Sequence, residues 1–197
     1  MRALLLGGLA LAALLAVGSA SAQPSSPTPA PGRRRRWLLL GDSLAQGLED
    51  GLRKRAEQSG DELRAVTANG TRAADWSGET FGELVAALRP QRVLVVLGAN
   101  DAASPDASSF ARAARDMAET AKRAGAILVW VDPPPLPPRL VGAGAVREAL
   151  RRSVPFVVPS QDATGGRAAD GVHFTPAGYD AWAGQIWTAV SRILSGP

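Results

Sequence analysis

The sequence predicts an α/β protein with a parallel sheet covered by helices on both faces. Three observations carry this. Short apolar runs alternate with segments of ten or more residues whose apolar positions recur at helical spacing, which marks strands joined by helical crossovers. Arg92–Leu97, Arg-Val-Leu-Val-Val-Leu, is apolar without alternation, as in a strand buried on both faces. Five such runs can be placed along the chain. In open sheets of this kind ligands bind beyond the carboxyl ends of the strands, so residues following each strand are the first candidates for chemistry.

The first element is not part of the sheet. Arg2, an unbroken apolar and Gly run from Ala3 to Val17, and the small-residue end Ala20-Ser21-Ala22 form the pattern of a secretory signal peptide over residues 1–22. The run is shorter than the roughly 18 residues a membrane span needs. Gln23–Gly32 is rich in Pro and Ser and leads into Arg33–Arg36, so residues 23–36 read as a tether and 37–197 as one domain. The formal charge is +4, but five arginines and no acid lie in residues 1–36, which leaves −1 for the domain. A nucleic-acid partner is therefore not expected. Arg33–Arg36 reads as a solvated charge run with at most weak contact to an anionic envelope surface. With no cysteine, there is neither a disulfide framework nor a thiol for lipid attachment. The expectation is an exported monomer, in a bacterium periplasmic or extracellular.

Trp37–Leu40 is the first strand, bounded by the Arg run and Gly41. A helix follows over Leu44–Gln58, with Leu44, Leu48, Leu52 and Ala56 at four-residue spacing on the side that packs on the sheet, and Gly60 stops it. Leu63–Thr67 is the second strand, Thr80–Leu88 a helix ending before Pro90, and Arg92–Leu97 the third strand. A helix over Ser108–Ala124 ends at Gly125, and Ile127–Val131 is the fourth strand. Asp132–Arg139 holds five prolines and reads as a stiff apolar wall. Val141–Arg152 is helical, and Pro155–Val158 is a shorter fifth strand. Thr175 is an N-cap with Pro176 at the first helical position, opening a helix to Leu194 whose buried stripe is Trp182, Ile186, Trp187, Val190 and Leu194.

Ser43 sits at the turn from first strand to first helix. Taken alone, a Ser there caps the helix; beside unpartnered helix-start N–H groups, it also suits a nucleophile whose reaction develops an oxyanion. His173 is the only histidine, so any imidazole mechanism must use it. Asp170, three residues earlier, can reach Nδ1 and leave Nε2 for Ser43, although the same residues also read as a polar loop with an Asp-Gly turn. Gly70 lies in an Asn-Gly turn that exposes its N–H. Asn100 can donate from its amide toward an oxyanion, or simply form an Asx turn or helix cap. Asp42 and Asp101 read as scaffold, bonding nearby loop backbone. These positions follow the first, second, third and fifth strands, so they can converge at one edge. One histidine and no cysteine supply no metal-ligand cluster, and no phosphate-cradling glycine loop occurs, so neither metal nor cofactor is expected.

Gly41-Asp42-Ser43-Leu44, Gly70 after Asn69, Gly98-Ala99-Asn100-Asp101 and Asp170-Gly171-Val172-His173 together resemble the four blocks of the SGNH, or GDSL, hydrolases, in that family's order. The resemblance runs from Leu38 to about Tyr179. It implies a flavodoxin-like three-layer α/β/α sandwich with a five-stranded parallel sheet. It also implies Ser43 as nucleophile, His173 as general base and Asp170 as its orienting acid, with an oxyanion hole of the Ser43 and Gly70 N–H groups and the Asn100 side chain. Family members cleave acylated sugars, lysophospholipids, thioesters and aryl esters. Gly41–Ala45 is not a Gly-x-Ser-x-Gly elbow, so the α/β-hydrolase fold is a poorer match. No long insertion separates the blocks, and export points to envelope or extracellular esters. The expected substrate is thus a short O-acyl group on carbohydrate, with lysophospholipid or thioester hydrolysis, acyl transfer, and carbohydrate binding without turnover as alternatives. Trp76 and Trp130 read either as core or as a sugar-stacking surface.

Overall fold

The computed structural model describes residues 34–160 and 166–195. The expected signal peptide and the tether through Arg33 lie outside these residues. Five strands, β1 (Arg36–Gly41), β2 (Glu62–Thr67), β3 (Arg92–Val96), β4 (Ile127–Val131) and β5 (Val157–Val158), form one sheet in the order β2-β1-β3-β4-β5. All four pairings are parallel. Six helices accompany them: α1 (Ser43–Gln58), α2 (Ala73–Trp76), α3 (Glu79–Leu88), α4 (Ser108–Arg123), α5 (Ala143–Ser153) and α6 (Pro176–Ser195).

The pleat divides each strand between two cores. Leu38, Leu40, Val93, Val95, Leu128 and Trp130 pack with the apolar stripes of α3, α4 and α5. Trp37, Leu39, Leu94, Val96, Val129 and Val131 pack with α1 and α6. This is the predicted three-layer sandwich, and two-sided burial is why the third strand shows no alternation. Each fully buried Leu or Val stabilises the fold by roughly 1.5–3 kcal/mol. Leu44, Leu48, Leu52 and Ala56 are all buried under α1, as their spacing predicts.

Several boundaries differ from the sequence reading. β1 begins at Arg36, and Arg35 forms a 3.0 Å ion pair with Asp61, which also accepts from Trp37 Nε1 at 3.0 Å. Asp61 is buried, and these two donors satisfy it. Two arginines of the charge run are therefore bound to the body, since the Arg36 guanidinium donates to Arg89 O at 2.8 Å. β5 has two residues rather than four, because Pro155 has no N–H for a ladder. The four-residue α2 and a 3₁₀ turn at Asp101–Ala103 are too short to leave a periodic signal. In α6, Trp187 is half-buried and packs against Trp37 with ring centroids 5.0 Å apart and planes inclined at 42°. Trp130 is fully buried with Nε1 donating to Leu97 O at 3.0 Å, and Trp76 is buried too. Both are core, which removes them as a sugar-stacking surface.

Candidate active site

The strand order reverses between β1 and β3, since β2 lies on one side of β1 while β3, β4 and β5 continue on the other. The crevice above such a reversal is where open α/β sheets bind ligands. The Gly41 backbone passes so close to β3 that a Cβ there would lie 2.1 Å from Val96 O, so only glycine fits. Asp42 then caps α1: its extended backbone turns the chain, and Oδ1 accepts from Leu44 N at 2.9 Å. The cap reading of Ser43 is thereby corrected. Ser43 is the first residue of α1, its hydroxyl is free of capping duty, and among the described residues its N–H bonds no backbone carbonyl.

His173 Nε2 lies 2.8 Å from Ser43 Oγ, across 130 residues of sequence. Its Nδ1 lies 2.5 Å from Asp170 Oδ2, while Asp170 Oδ1 accepts the backbone N–H groups of Val172 (2.9 Å) and His173 (3.0 Å). The His173 side chain first, then these two N–H groups, hold the Asp170 carboxyl well below the usual carboxylate range. The three-residue spacing works because the segment is a turn: one carboxylate both orders the loop and orients the imidazole.

Gly70 has φ of +76°, a left-handed conformation that glycine adopts without strain, and its N–H has no backbone acceptor among the described residues. The Asn100 amide is engaged: Nδ2 donates to Asp42 Oδ2 at 3.0 Å and to Thr71 O at 2.9 Å. The side-chain cap considered for Asn100 is absent, since this amide reaches across to the neighbouring loops instead. Donation to an oxyanion from Asn100 means sharing one of those hydrogens. Asp42 is therefore more than backbone scaffold, because it joins the nucleophile's helix to the Asn100 loop. Burial raises its pKa to about 6, against the lowering pull of the Leu44 N–H. Asp101 accepts from Ala73 N at 3.2 Å, which ties the third block to α2; burial raises its pKa as well.

Ser43, Gly70, Asn100, Asp170 and His173 line one cleft of about 390 Å³. The convergence inferred from element order is what the fold places there. Sequence reasoning missed the arginines around it. Arg167 donates to Val172 O (2.9 Å) and Pro135 O (2.7 Å) with its guanidinium 4.2 Å from the Phe174 ring centroid, clamping the His173 loop to the proline wall. Arg139 donates to Asp170 O at 2.5 Å, and with Arg72 it lies at the cleft. No local pattern marks these residues, because Arg139 reaches a loop 31 residues along the chain and Arg167 joins its own loop to Pro135, 32 residues back. Among the described residues no group of three or more His, Cys, Asp or Glu could hold a metal ion.

A hydroxyl bonded to an imidazole whose other nitrogen faces a carboxylate can lose its proton as it attacks a carbonyl, and unpartnered N–H groups nearby can hold the resulting oxyanion. A family match bears on the class of reaction. Residues 39–181 match the family described as GDSL-like lipase/acylhydrolase. No curated protein sequence matches the chain. Among solved structures, a carbohydrate esterase family 3 protein from Talaromyces cellulolyticus is similar at 19% identity, with 82% of this chain and 98% of that chain covered and a TM-score of 0.65. The Clostridium thermocellum family 3 carbohydrate esterase is similar at 16% identity, with 83% and 98% covered and a TM-score of 0.66. The esterase EstA from Pseudoalteromonas sp. is similar at 17% identity, with 82% and 100% covered and a TM-score of 0.62. At these identities the likeness is one of fold.

Proposed function

The chain belongs to the GDSL-like lipase/acylhydrolase family, and from that premise we propose that it removes short O-acyl groups from carbohydrate through an acyl-enzyme on Ser43. Ester hydrolysis itself follows from the family. The observation that carries the mechanism is the continuous chain from Ser43 Oγ through His173 to Asp170, with links of 2.8 and 2.5 Å. As Oγ attacks the ester carbonyl carbon, its proton passes to Nε2. Asp170 keeps Nδ1 protonated and opposes the imidazolium charge. The Ser43 and Gly70 N–H groups and one shared Asn100 amide hydrogen hold the carbonyl oxygen while it is negative. The alcohol leaves with the proton from Nε2; water then attacks the acyl-Ser43 ester with the same imidazole as base, releasing the acid.

The cleft's volume lies at the low end for ligand pockets, which favours a short acyl group. The likeness to two carbohydrate esterases and the leader-like residues 1–22 favour an exported enzyme with envelope or extracellular polysaccharide as its partner. One observation favours a second reading, hydrolysis of longer lipid or thioester acyl chains: Val141 is 66% exposed beside Leu140, which lines the cleft.

The test is hydrolysis of p-nitrophenyl esters from acetate to long acyl chains, and of acetylated oligosaccharides, by the full chain and by Ser43→Ala and His173→Ala. The proposal expects an acetate optimum, acetate release from sugars, and losses of about 10³-fold or more in either variant. A long-chain optimum would replace the carbohydrate reading with the lipid one. Turnover retained in Ser43→Ala refutes the acyl-enzyme. Acyl groups recovered on an added sugar acceptor would make the protein a transferase.

A further inference from the structure

Arg72 and Arg139 line the same cleft as Ser43 and His173, and neither forms an ion pair with any carboxylate of the described residues. The acids around them are already engaged by protein donors. Asp42 accepts from Leu44 N and Asn100 Nδ2, Asp101 from Ala73 N, and Asp170 from His173 and Val172. Arg139 gives one N–H to the Asp170 carbonyl, which leaves the rest of its guanidinium open. The Arg72 guanidinium donates to no acceptor among the described residues.

The Arg72 main chain, by contrast, is held on every side. Its own N–H donates to Asp75 Oδ2 at 2.7 Å, Thr71 O accepts from Asn100, and Ala73 N donates to Asp101. The side chain is thus rooted two residues beyond Gly70, next to where the carbonyl oxygen of a bound ester would lie. A guanidinium presents a planar fork of donors that matches a carboxylate with two parallel hydrogen bonds. Two such forks line one cleft, and neither is ion-paired to a described carboxylate, so their donors remain open to an anionic ligand.

We propose that Arg72 and Arg139 form a subsite for a carboxylate on the alcohol part of the ester, so that the preferred substrates are O-acylated sugars of uronic-acid type. This rests on the carbohydrate reading above and narrows it to acidic polysaccharide.

The experiment has two arms, each with the full chain, Arg72→Gln, Arg139→Gln and Arg72→Lys. In the first, kcat/KM is measured on acetylated galacturonate oligosaccharides and on the same oligosaccharides with every carboxylate methyl-esterified. The readout is the acid-to-methyl-ester ratio, from which any general loss of activity cancels. In the second, the deacetylated oligosaccharides, their methyl esters and a sugar phosphate compete against p-nitrophenyl acetate. The subsite predicts a ratio of about ten in the unaltered protein, carried by KM, consistent with one charge-assisted hydrogen-bonding contact. That ratio falls below about three in Arg72→Gln, recovers in part in Arg72→Lys, and shrinks as salt is added. A ratio near one in the unaltered protein overturns the subsite, as does a ratio that neither Gln substitution moves. Tighter competition by the phosphate overturns the carboxylate assignment. If neither acetylated sugar is cleaved yet the acidic oligosaccharide still competes in an Arg72-dependent way, the subsite stands and the carbohydrate-substrate reading fails. If both sugars are cleaved equally well, the reading stands and the subsite fails.

Discussion

Replacing Asp42 by Asn perturbs one buried group and separates its charge from its hydrogen bonds. Asp42 is 1% exposed, and burial lifts its pKa from the ordinary 3.8 to about 6. A carboxyl whose folded-state pKa is raised holds its proton more tightly in the folded than in the unfolded chain. Its contribution to stability is therefore lost as pH rises from about 4 through about 6. The difference in pKa corresponds to roughly 3 kcal/mol, most of which develops between pH 4 and pH 8. The amide that replaces it carries no charge and escapes that loss, while its oxygen still caps Leu44 N. The stability of Asp42→Asn relative to the unaltered protein should thus improve by about 2–3 kcal/mol from pH 4 to pH 8. Urea unfolding followed by tryptophan fluorescence at the two pH values measures it. The substitution also sets the introduced amide N–H donor against Asn100 Nδ2, which now donates to Asp42 Oδ2 at 3.0 Å. Asn100 loses that acceptor and its aim, so kcat on p-nitrophenyl acetate at pH 8 should fall by about 10²–10³-fold. A relative stability that stays constant within about 0.5 kcal/mol across the pH range would refute the buried-charge argument. Unaltered kcat would refute the link from Asp42 to the oxyanion donors.

Two further outcomes follow from the geometry. Asp170→Asn keeps an oxygen for the Val172 and His173 N–H groups but turns an amide donor toward Nδ1, so the imidazole protonates on Nε2 and cannot take the Ser43 proton. Turnover should fall by about 10²–10⁴-fold, and a loss of less than tenfold would contradict the orienting role. Gly41→Ala drives a methyl to 2.1 Å from Val96 O, a backbone atom that can move only if β1 and β3 separate. The urea midpoint should register a loss of at least about 3 kcal/mol, or the chain should fail to fold; a loss under about 1 kcal/mol would mean the strands are less tightly apposed than described.

Much of the fold was legible because it rests on local regularities. A stripe of Leu44, Leu48, Leu52 and Ala56, or the unbroken apolar run of the third strand, depends on a residue and its neighbours within a turn or two. The four blocks were legible as an ordered set because parallel strands joined by crossovers carry their following loops to one edge of the sheet. The lengths of α2 and β5 were not, because four-residue and two-residue elements leave no periodicity to read, and Trp76 and Trp130 declared themselves core only once packed.

The site divides in the same way. The sequence offered Ser43, His173 and Asp170 as candidates, and it was the resemblance of the four ordered blocks to the family that gave them the roles of nucleophile, base and orienting acid. Only the tertiary structure decided that Asp42 rather than Ser43 caps α1, that the Asn100 amide spans Asp42 and Thr71, and that Arg139 and Arg167 hold the His173 loop. It alone left Arg72 at a cleft without an ion-paired carboxylate among the described residues. The reason is physical. A hydrogen bond across 58 residues, as between Asn100 and Asp42, is set by how strands pair and loops close over them, and no neighbouring residue in the chain encodes it.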